Sequence, residues 1–178
     1  MEHGNVAGKR ASTALYTPEQ RARRDATPWT LVQGILAPIQ FLVCIVSIAL
    51  VVRFLLTGDG LWAANLSVLI KTVILLTIMV TGSIWEKVVF DEWLFAGPFF
   101  WEDVVSMGVI ALHLLYVAGL FAGWFTSQQL MVIALVAYAA YVVNAIQFIL
   151  KLRAARLQEA AEKQARAESQ GAMQEAVA

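Results

Sequence analysis

Residues 104–150 contain no Asp, Glu, Lys or Arg, and this uncharged stretch constrains the fold more than any other feature of the chain. A helix that crosses a bilayer needs roughly 20 apolar residues. The stretch is therefore long enough for two spans and a tight turn, and the uncharged residues 29–52 are long enough for another. Charged residues make up 15% of the chain, whereas about 25% of a soluble protein is charged. The pattern predicts an all-α integral membrane protein.

Four spans are predicted to form a helix bundle, separated by charged or glycine-containing segments. The predicted spans are residues 29–56, 61–87, 100–121 and 128–152. The sequence TGDG at 57–60 predicts the first turn, and an aromatic connector with Gly97-Pro98 predicts a bent segment at the membrane surface. Pro38 inside the first span is expected to bend that helix or to loosen one backbone hydrogen bond.

Polar segments flank the predicted bundle, which divides the chain into residues 1–28, 29–152 and 153–178. The first 15 residues are expected to lack ordered structure and to contain no removable signal peptide. Thr17, Pro18 and Gln20 form a capping pattern that predicts a short, basic interfacial helix. The alanine-rich tail is expected to extend the fourth span as a helix that ends before Gly171.

Lys and Arg lie almost entirely on one side of the predicted topology. Eleven of the thirteen fall in the N-terminal segment, the middle connector or the C-terminal tail, and the other two are Arg53 and Lys71. Because basic residues are retained in the cytoplasm, both termini of this multi-pass protein are expected to be cytoplasmic. The six tryptophans fall near span ends, as is typical of residues at the membrane interface.

Each predicted span carries polar residues in its cytoplasmic third or near the membrane midplane, whereas the outer third is nearly bare. These residues are Gln33, Gln40, Lys71, Thr81, Glu86, Glu102, Asp103, Ser106, His113, Asn144 and Gln147. Glu102, Ser106 and His113 share one helical face, and Asn144 and Gln147 share another. Singly, such residues are explained by hydrogen bonds between helices, worth about 0.6 kcal/mol each. As a set, they predict a cavity that opens to the cytoplasm.

Several of these side chains have alternative roles. His113 fits a packed, hydrogen-bonded histidine, a metal ligand or an acid–base group. Glu102 and Asp103 fit either an acidic helix start or a general acid. Lys71 fits a side chain that snorkels to the surface or one that pairs with a polar group or a substrate. Cys44 is the single cysteine, which excludes an intrachain disulfide and favours a packing role.

The sequence contains no motif of a soluble enzyme, such as a phosphate-binding loop. The formal net charge of zero gives no sign of a nucleic-acid partner. Four blocks are nevertheless distinctive. They are TPEQRARRDATPWTLVQGILAPIQF (17–41), VTGSIWEKVVF (80–90), FFWEDVVSMGVIALH (99–113) and YVVNAIQFILKLRAARLQ (141–158). Because of these blocks, the chain resembles the 3-vinyl (2-vinyl) bacteriochlorophyllide hydratase family of bacteriochlorophyll biosynthesis. The resemblance covers residues 16–158.

The resemblance implies that water adds to the C3 vinyl group of a chlorin and gives a 1-hydroxyethyl group, with no cofactor. The implied partners are a magnesium-containing chlorin, water, membrane lipid and other enzymes of pigment biosynthesis. The implied location is a bacterial cytoplasmic or intracytoplasmic membrane. The oligomeric state stays open.

Within this resemblance, Glu102 is the expected general acid and Asp103 the alternate, while His113 would ligate the substrate magnesium or relay a proton. The expected substrate-binding residues are Gln33, Gln40, Lys71, Trp85, Glu86, Trp101 and Ser106, together with Asn144 and Gln147, which would position water. Gly82 and Gly108 are expected to face the pigment or to allow close helix contact. The rival interpretations are a non-catalytic pigment-binding or assembly protein and a small transporter subunit, the latter disfavoured by the bare outer third.

Overall fold

The computed structural model describes residues 15–175, which form five α-helices and no strand. The helices are α1 (Pro18–Ala26), α2 (Pro28–Thr57), α3 (Leu61–Phe90), α4 (Phe100–Ala122) and α5 (Ser127–Glu175). Helices α2 to α5 are each long and apolar enough to cross a membrane. The predicted all-α membrane bundle is therefore confirmed. The predictions made for residues 1–14 and 176–178 lie outside the described residues.

Local side-chain chemistry sets both ends of α1. The Thr17 hydroxyl accepts a hydrogen bond from the Gln20 backbone N–H (3.2 Å), and the Gln20 side chain accepts one from the Thr17 N–H (2.9 Å). This capping box satisfies backbone donors that have no partner inside the helix. The extended residue Thr27 ends α1 and caps α2. The predicted short N-terminal helix is confirmed.

Glycines flank three of the membrane-length helices. Gly58 (φ 77°) ends α2, Gly60 (φ 86°) precedes α3 and Gly123 (φ 67°) ends α4. A positive φ is accessible to glycine without steric cost. The predicted turn at 57–60 is confirmed, and α2 continues through Pro38 without interruption.

The turn between α4 and α5 depends on a close approach at Gly119. A Cβ atom at this position would lie 2.4 Å from Phe125 Cδ2. A Cβ at Gly108 would have no atom within 4 Å, and one at Gly82 would meet Gln33 Oε1 at 3.7 Å, an ordinary contact. Gly108 is therefore not at a close helix contact, whereas Gly119 allows the Phe125 ring to approach the backbone of α4 closely.

Helix α5 is continuous over 49 residues. At 1.5 Å per residue it is about 73 Å long, more than twice the roughly 30 Å of a bilayer hydrocarbon core. Its second half therefore projects beyond the span as the predicted helical tail. The predicted end before Gly171 is wrong, because the helix continues to Glu175. A single glycine costs only about 1 kcal/mol relative to alanine, and the residues that follow it, Ala172 to Gln174, are compatible with a helix.

Two clusters of buried side chains hold the helices together. The larger cluster unites all four membrane-length helices and includes Cys44, Val51, Val68, Val109, Tyr116, Met131 and Tyr138. The smaller one joins the segment before α1 to α3, the connector and α5; it contains Tyr16, Val89, Phe99 and Ala155, with Trp85, Phe90 and Phe148 packed against it. Cys44 is thus a packing residue, as predicted.

Ion pairs fasten α1 to the tail of α5. Arg24 Nη1 lies 2.6 Å from Glu159 Oε1, and Arg21 Nη1 lies 3.1 Å from Glu162 Oε2. We call these four residues the clasp. The Arg24 guanidinium also lies over the Tyr16 ring, 4.8 Å from its centre. Burial raises the pKa of Tyr16 to about 12, although the neighbouring Arg24 charge acts in the opposite direction.

Candidate functional site

Polar side chains from α3, α4 and α5 meet at the end of the bundle that carries the clasp. This polar layer consists of four buried residues, Glu86, Glu102, Asp103 and Asn144, and two partly exposed ones, Ser106 and Lys151. Its side chains contact one another in three pairs: Glu86 with Asp103, Glu102 with Lys151, and Ser106 with Asn144. A cavity lined by these side chains stays a prediction. Two cavities, of 480 and 380 Å³, lie elsewhere, the first between α1 and the tail and the second beside the turn before α5.

The carboxyl groups of Glu86 and Asp103 lie within hydrogen-bonding reach of each other. They are 6% and 3% exposed. The Ala96 N–H donates to Glu86 Oε2 (3.1 Å), and the Phe95 N–H donates to Asp103 Oδ2 (2.9 Å). A hydrogen bond between two carboxyl groups needs a proton on one of them, because an ionised carboxylate only accepts. The geometry therefore suits a pair that shares one proton, which we call the carboxyl pair.

Glu102 faces α5 instead of the carboxyl pair. Its Oε2 lies 2.5 Å from Lys151 Nζ, and the same ammonium group donates to the Pro98 carbonyl. The ammonium also lies 5.3 Å from the centre of the Phe99 ring. Lys151 therefore ties the end of the connector and the start of α4 to α5. A carboxylate in such an ion pair is a weak proton donor, because it must first gain a proton and lose its partner.

Ser106 links α4 to α5 within the polar layer. Its hydroxyl donates to the Glu102 carbonyl (2.8 Å) and accepts from Asn144 Nδ2 (2.7 Å). Within residues 15–175, the buried atoms Asn144 Oδ1 and Gln147 Oε1 have no hydrogen-bond partner. An amide oxygen has two lone pairs, so both atoms can accept hydrogen bonds from a polar ligand or from water.

Lys71 and His113 lie deeper in the bundle, and His113 is about 16 Å along α4 from Glu102. Lys71 is fully buried with Nζ 3.7 Å from the centre of the Tyr141 ring, so it does not snorkel to the surface. His113 is 1% exposed, and its Nδ1 donates to the Val109 carbonyl (2.8 Å). Its Nε2 is left as an acceptor without a partner in the described part of the chain.

The remaining residues of the predicted site lie apart from the polar layer. Gln33 Nε2 donates to Thr81 Oγ1 (2.8 Å), which is a hydrogen bond between α2 and α3. Gln40 is buried in α2. Trp85 bonds to α2 through its indole N–H. Trp101 is 70% exposed, so it does not belong to the buried set.

The half of the bundle farther from the clasp is more polar than the sequence suggested. Ser47 Oγ lies 2.7 Å from Ser67 Oγ and 2.6 Å from the Tyr138 hydroxyl, and the Tyr116 hydroxyl donates to Asn65 (2.7 Å). These contacts join all four membrane-length helices. The prediction that the outer third is nearly bare is therefore wrong, because Asn65, Ser67 and the Tyr116 hydroxyl lie toward that end and form hydrogen bonds. A bare outer third is accordingly no argument against a transporter subunit.

Together, the fold and the polar layer define a polytopic membrane protein with a buried acidic site at one end of a four-helix bundle. Residues 16–154 match the family model of the 2-vinyl bacteriochlorophyllide hydratases. The chain belongs to this family, as its sequence blocks predicted.

Two curated relatives resemble the chain over most of its length. The first is a 2-vinyl bacteriochlorophyllide hydratase of Rhodobacter capsulatus, 67% identical over 149 residues that cover 84% of this chain and 86% of the relative. The second, of the same name, is from Cereibacter sphaeroides and is 66% identical over 143 residues, which cover 80% of this chain and 89% of the relative. No solved structure matches the chain.

Proposed function

We propose that this chain is a hydro-lyase that adds water to the C3 vinyl group of a magnesium-containing chlorophyllide or bacteriochlorophyllide. The product carries a 1-hydroxyethyl group and belongs to bacteriochlorophyll biosynthesis. Membership of a family named for this hydratase supports the reaction. The single observation that carries the proposal at the site is the carboxyl pair, two buried carboxyl groups that interact at the end of an apolar bundle.

Hydration of a conjugated vinyl group begins with proton transfer to its terminal carbon. The electron pair of the C=C bond forms the new C–H bond, and positive charge develops on the inner carbon, where the macrocycle delocalises it. Water then forms a C–O bond at this carbon and loses one proton to a base. The sum is one water molecule added across the double bond, with no oxidant or reductant consumed.

Asp103, with Glu86 as its partner, is the proposed proton donor. Donation leaves two carboxylates in contact, and their repulsion favours the return of a proton from the attacking water. The pair thus acts first as the acid and then as the base. Asp103 takes this role in preference to Glu102, because Glu102 is already bound to Lys151. Glu102 instead fixes the start of α4, where Asp103 is the next residue.

Asn144 and Gln147 are proposed to orient the attacking water. Their unpartnered side-chain oxygens accept hydrogen bonds, so a water bound to them directs its own lone pair toward an electron-poor carbon. Ser106 supports this arrangement, because its hydroxyl holds the amide nitrogen of Asn144.

His113 is proposed to be a packed core side chain, which is one of the three roles that the sequence left open. Its ring is 1% exposed and lies 5.7 Å from the Tyr138 ring, centre to centre. A magnesium ion held in a macrocycle would have to enter the helix bundle to meet Nε2. In His113→Ala, turnover per folded molecule should stay within about threefold of wild type, and a hundredfold loss would contradict the packed role.

Both termini are proposed to lie in the cytoplasm, with the chain in a bacterial cytoplasmic or intracytoplasmic membrane. Its apolar helices would contact lipid, and the exposed tail is the candidate surface for other enzymes of pigment biosynthesis.

Cysteines introduced at Asp59 and Ser169 test the orientation. The native Cys44 is buried, so the reagent should label only the introduced cysteines. A membrane-impermeant maleimide should label Asp59→Cys in intact cells and Ser169→Cys only after lysis. The opposite pattern would reverse the orientation.

The reaction is tested with membranes that carry this chain and are supplied with a vinyl chlorophyllide. Asp103→Asn and Glu86→Gln should each lower turnover about a hundredfold or more, which is usual for loss of a general acid or base. Glu92→Gln is the matched control, because Glu92 is an exposed carboxylate on the same connector and its variant should turn over normally. Near-normal rates in both pair variants would exclude the pair. Wild-type protein that binds the pigment and yields no hydroxyethyl product would favour a non-catalytic pigment-binding protein.

A further inference from the structure

Four aromatic side chains at the connector and the start of α4 are exposed: Trp93 (61%), Phe95 (38%), Phe100 (43%) and Trp101 (70%). Three of them are in ring contact. The ring centres of Phe95 and Phe100 are 5.8 Å apart, and those of Phe100 and Trp101 are 5.4 Å apart. We call Phe95, Phe100 and Trp101 the aromatic ladder. The planes of Phe95 and Phe100 are inclined at 53° and those of Phe100 and Trp101 at 86°, so the three rings form a contiguous but angled aromatic surface on the outside of the bundle.

An interfacial aromatic belt alone does not explain the ladder. Trp62 and Trp124, near the opposite end of the bundle, are 76% and 65% exposed. Within residues 15–175, neither of them is in contact with another aromatic ring, unlike the members of the ladder. Isolated side chains of this kind are sufficient to anchor a helix at a membrane surface. The ladder differs because its rings touch one another and because the backbone N–H of Phe95 is hydrogen-bonded to Asp103 in the polar layer.

The ladder is joined directly to the carboxyl pair. The Phe95 N–H donates to Asp103 Oδ2 (2.9 Å), and the next residue, Ala96, donates to Glu86 Oε2 (3.1 Å). Phe95 also has a φ of 59°, a conformation that residues with a side chain rarely adopt. Strained residues of this kind persist only where the surrounding contacts fix them, and they cluster at ligand sites. A flat ligand on the Phe95 ring would therefore lie beside the proposed proton donor.

We infer that the macrocycle of the substrate stacks on the aromatic ladder, with its vinyl-bearing edge toward the carboxyl pair. The inference rests on the proposed function for the identity of this ligand. A chlorin is a large, flat, conjugated ring, and aromatic side chains at different angles bind such a ring by a combination of offset-stacked contacts, edge-to-face contacts and burial of apolar surface. Glu86 and Asp103 are only 6% and 3% exposed, so the edge of the ring, and not its face, is the part that approaches them. The pigment reaches the ladder from the bilayer surface without passing between the helices.

The test compares tryptophans that share exposure and differ in position. Trp101→Leu and Phe100→Leu remove the ladder, Trp101→Phe keeps an aromatic ring there, and Trp62→Leu and Trp124→Leu are matched controls. Each protein is titrated with a vinyl chlorophyllide and with its ethyl analogue, which has the same macrocycle and cannot be hydrated.

Trp101→Leu should weaken binding of both pigments about tenfold, which is the size expected for one lost aromatic stacking contact. It should raise KM more than it lowers kcat, Trp101→Phe should recover most of the binding, and the controls should match wild type.

The outcomes separate this inference from the proposed function. If Trp101→Leu and Trp62→Leu bind the ethyl analogue equally well while the vinyl pigment is still hydrated, the ladder site is wrong and the proposed function stands. If wild-type protein binds the analogue through the ladder and gives no hydroxyethyl product, the site stands and the proposed function fails. The oligomeric state of Trp101→Leu is measured by light scattering in detergent. If it differs from that of wild type, a second copy of the chain covers the aromatic ladder, and the inference is overturned.

Discussion

Lys151 is the side chain whose loss should affect the polar layer most, because it neutralises a buried carboxylate. In Lys151→Gln the Glu102 carboxylate keeps its buried position without its partner. Loss of a partner in a fully buried pair costs about 3–5 kcal/mol, and Lys151 is 26% exposed, so we expect about 1–3 kcal/mol of lost stability. Thermal unfolding in detergent measures this change.

The double variant Glu102→Gln/Lys151→Gln is the control for this prediction. Both charges are then absent, so most of the lost stability should return. A double variant no more stable than Lys151→Gln would show that Lys151 acts through its contact with the Pro98 carbonyl, and not through the ion pair.

The sequence indicated which carboxylates belong to the candidate site, but it did not indicate which side chain each carboxylate contacts. Adjacent residues on a helix point about 100° apart, so Glu102 and Asp103 cannot both lie on the stripe of Ser106. Whether a given direction leads to α3 or to α5 depends on how the helices pack, which no local pattern encodes. Lys151 was left out of the predicted site for the same reason. Its position on the Asn144 face is equally typical of an ordinary interfacial lysine.

At the level of the helices, boundaries were predictable where a glycine interrupts the apolar pattern, whereas the charges at Glu86 and Lys87 do not end α3, which continues past the predicted end at residue 87 to Phe90. Helix α2 ends at Thr57, one residue from the predicted end, because Gly58 takes a left-handed conformation. The end of α5 was not predictable in this way. The alanine-rich tail favours a helix throughout, and the glycine at 171 is too small a cost to stop it.

Two glycines of α4 should respond oppositely to the same substitution. Gly119→Ala places a Cβ 2.4 Å from the Phe125 ring, so the ring must shift, and we expect a loss of about 1–3 kcal/mol, as in other overpacked sites. Gly108→Ala meets no atom within 4 Å and should stabilise the helix by about 0.5–1 kcal/mol. Unfolding of both variants in detergent measures the difference. A destabilised Gly108→Ala would mean that another surface covers this position.

The docking of α1 should depend on alkaline pH through Tyr16. Burial raises the pKa of Tyr16 to about 12, from 10.0 for an unperturbed tyrosine. The docked form therefore keeps its full stability below pH 10 and loses it progressively as the pH rises toward about 12. Trypsin cleavage at the arginines of α1 should accelerate over this interval in wild type and much less in Tyr16→Phe. The same acceleration in both proteins would assign the effect to another group.

On the scale of the whole molecule, α1 and the tail of α5 meet beside the candidate site. The clasp joins α1 to the tail, and Tyr16 packs in the same cluster as Phe99, the last residue before α4. The family match ends at residue 154, so the clasp glutamates lie beyond it. The clasp therefore joins α1, inside the matched residues, to a part of α5 beyond them, and its removal should free α1 while the membrane-length helices stay folded.

Truncation of the tail should show where this attachment is made. A chain that ends after residue 168 keeps Glu159 and Glu162, whereas a chain that ends after residue 157 loses both. Trypsin should cleave α1 in the shorter chain about tenfold faster than in wild type, because local opening then costs less. The longer chain should be cleaved at the wild-type rate. Unfolding of the bundle should be similar in both chains, because each retains the larger buried cluster.

The full-length variant Glu159→Gln/Glu162→Gln separates the loss of charge from the loss of helix. It keeps α5 intact and removes the negative charges of the tail that pair with Arg21 and Arg24, so it should reproduce most of the faster cleavage. Exposed ion pairs contribute little singly, but Arg24 and Glu159 are both less than one-fifth exposed, and the two glutamates act on one short helix. Equal protection of α1 in all these proteins would show that the apolar contacts of Tyr16 hold the helix without the clasp.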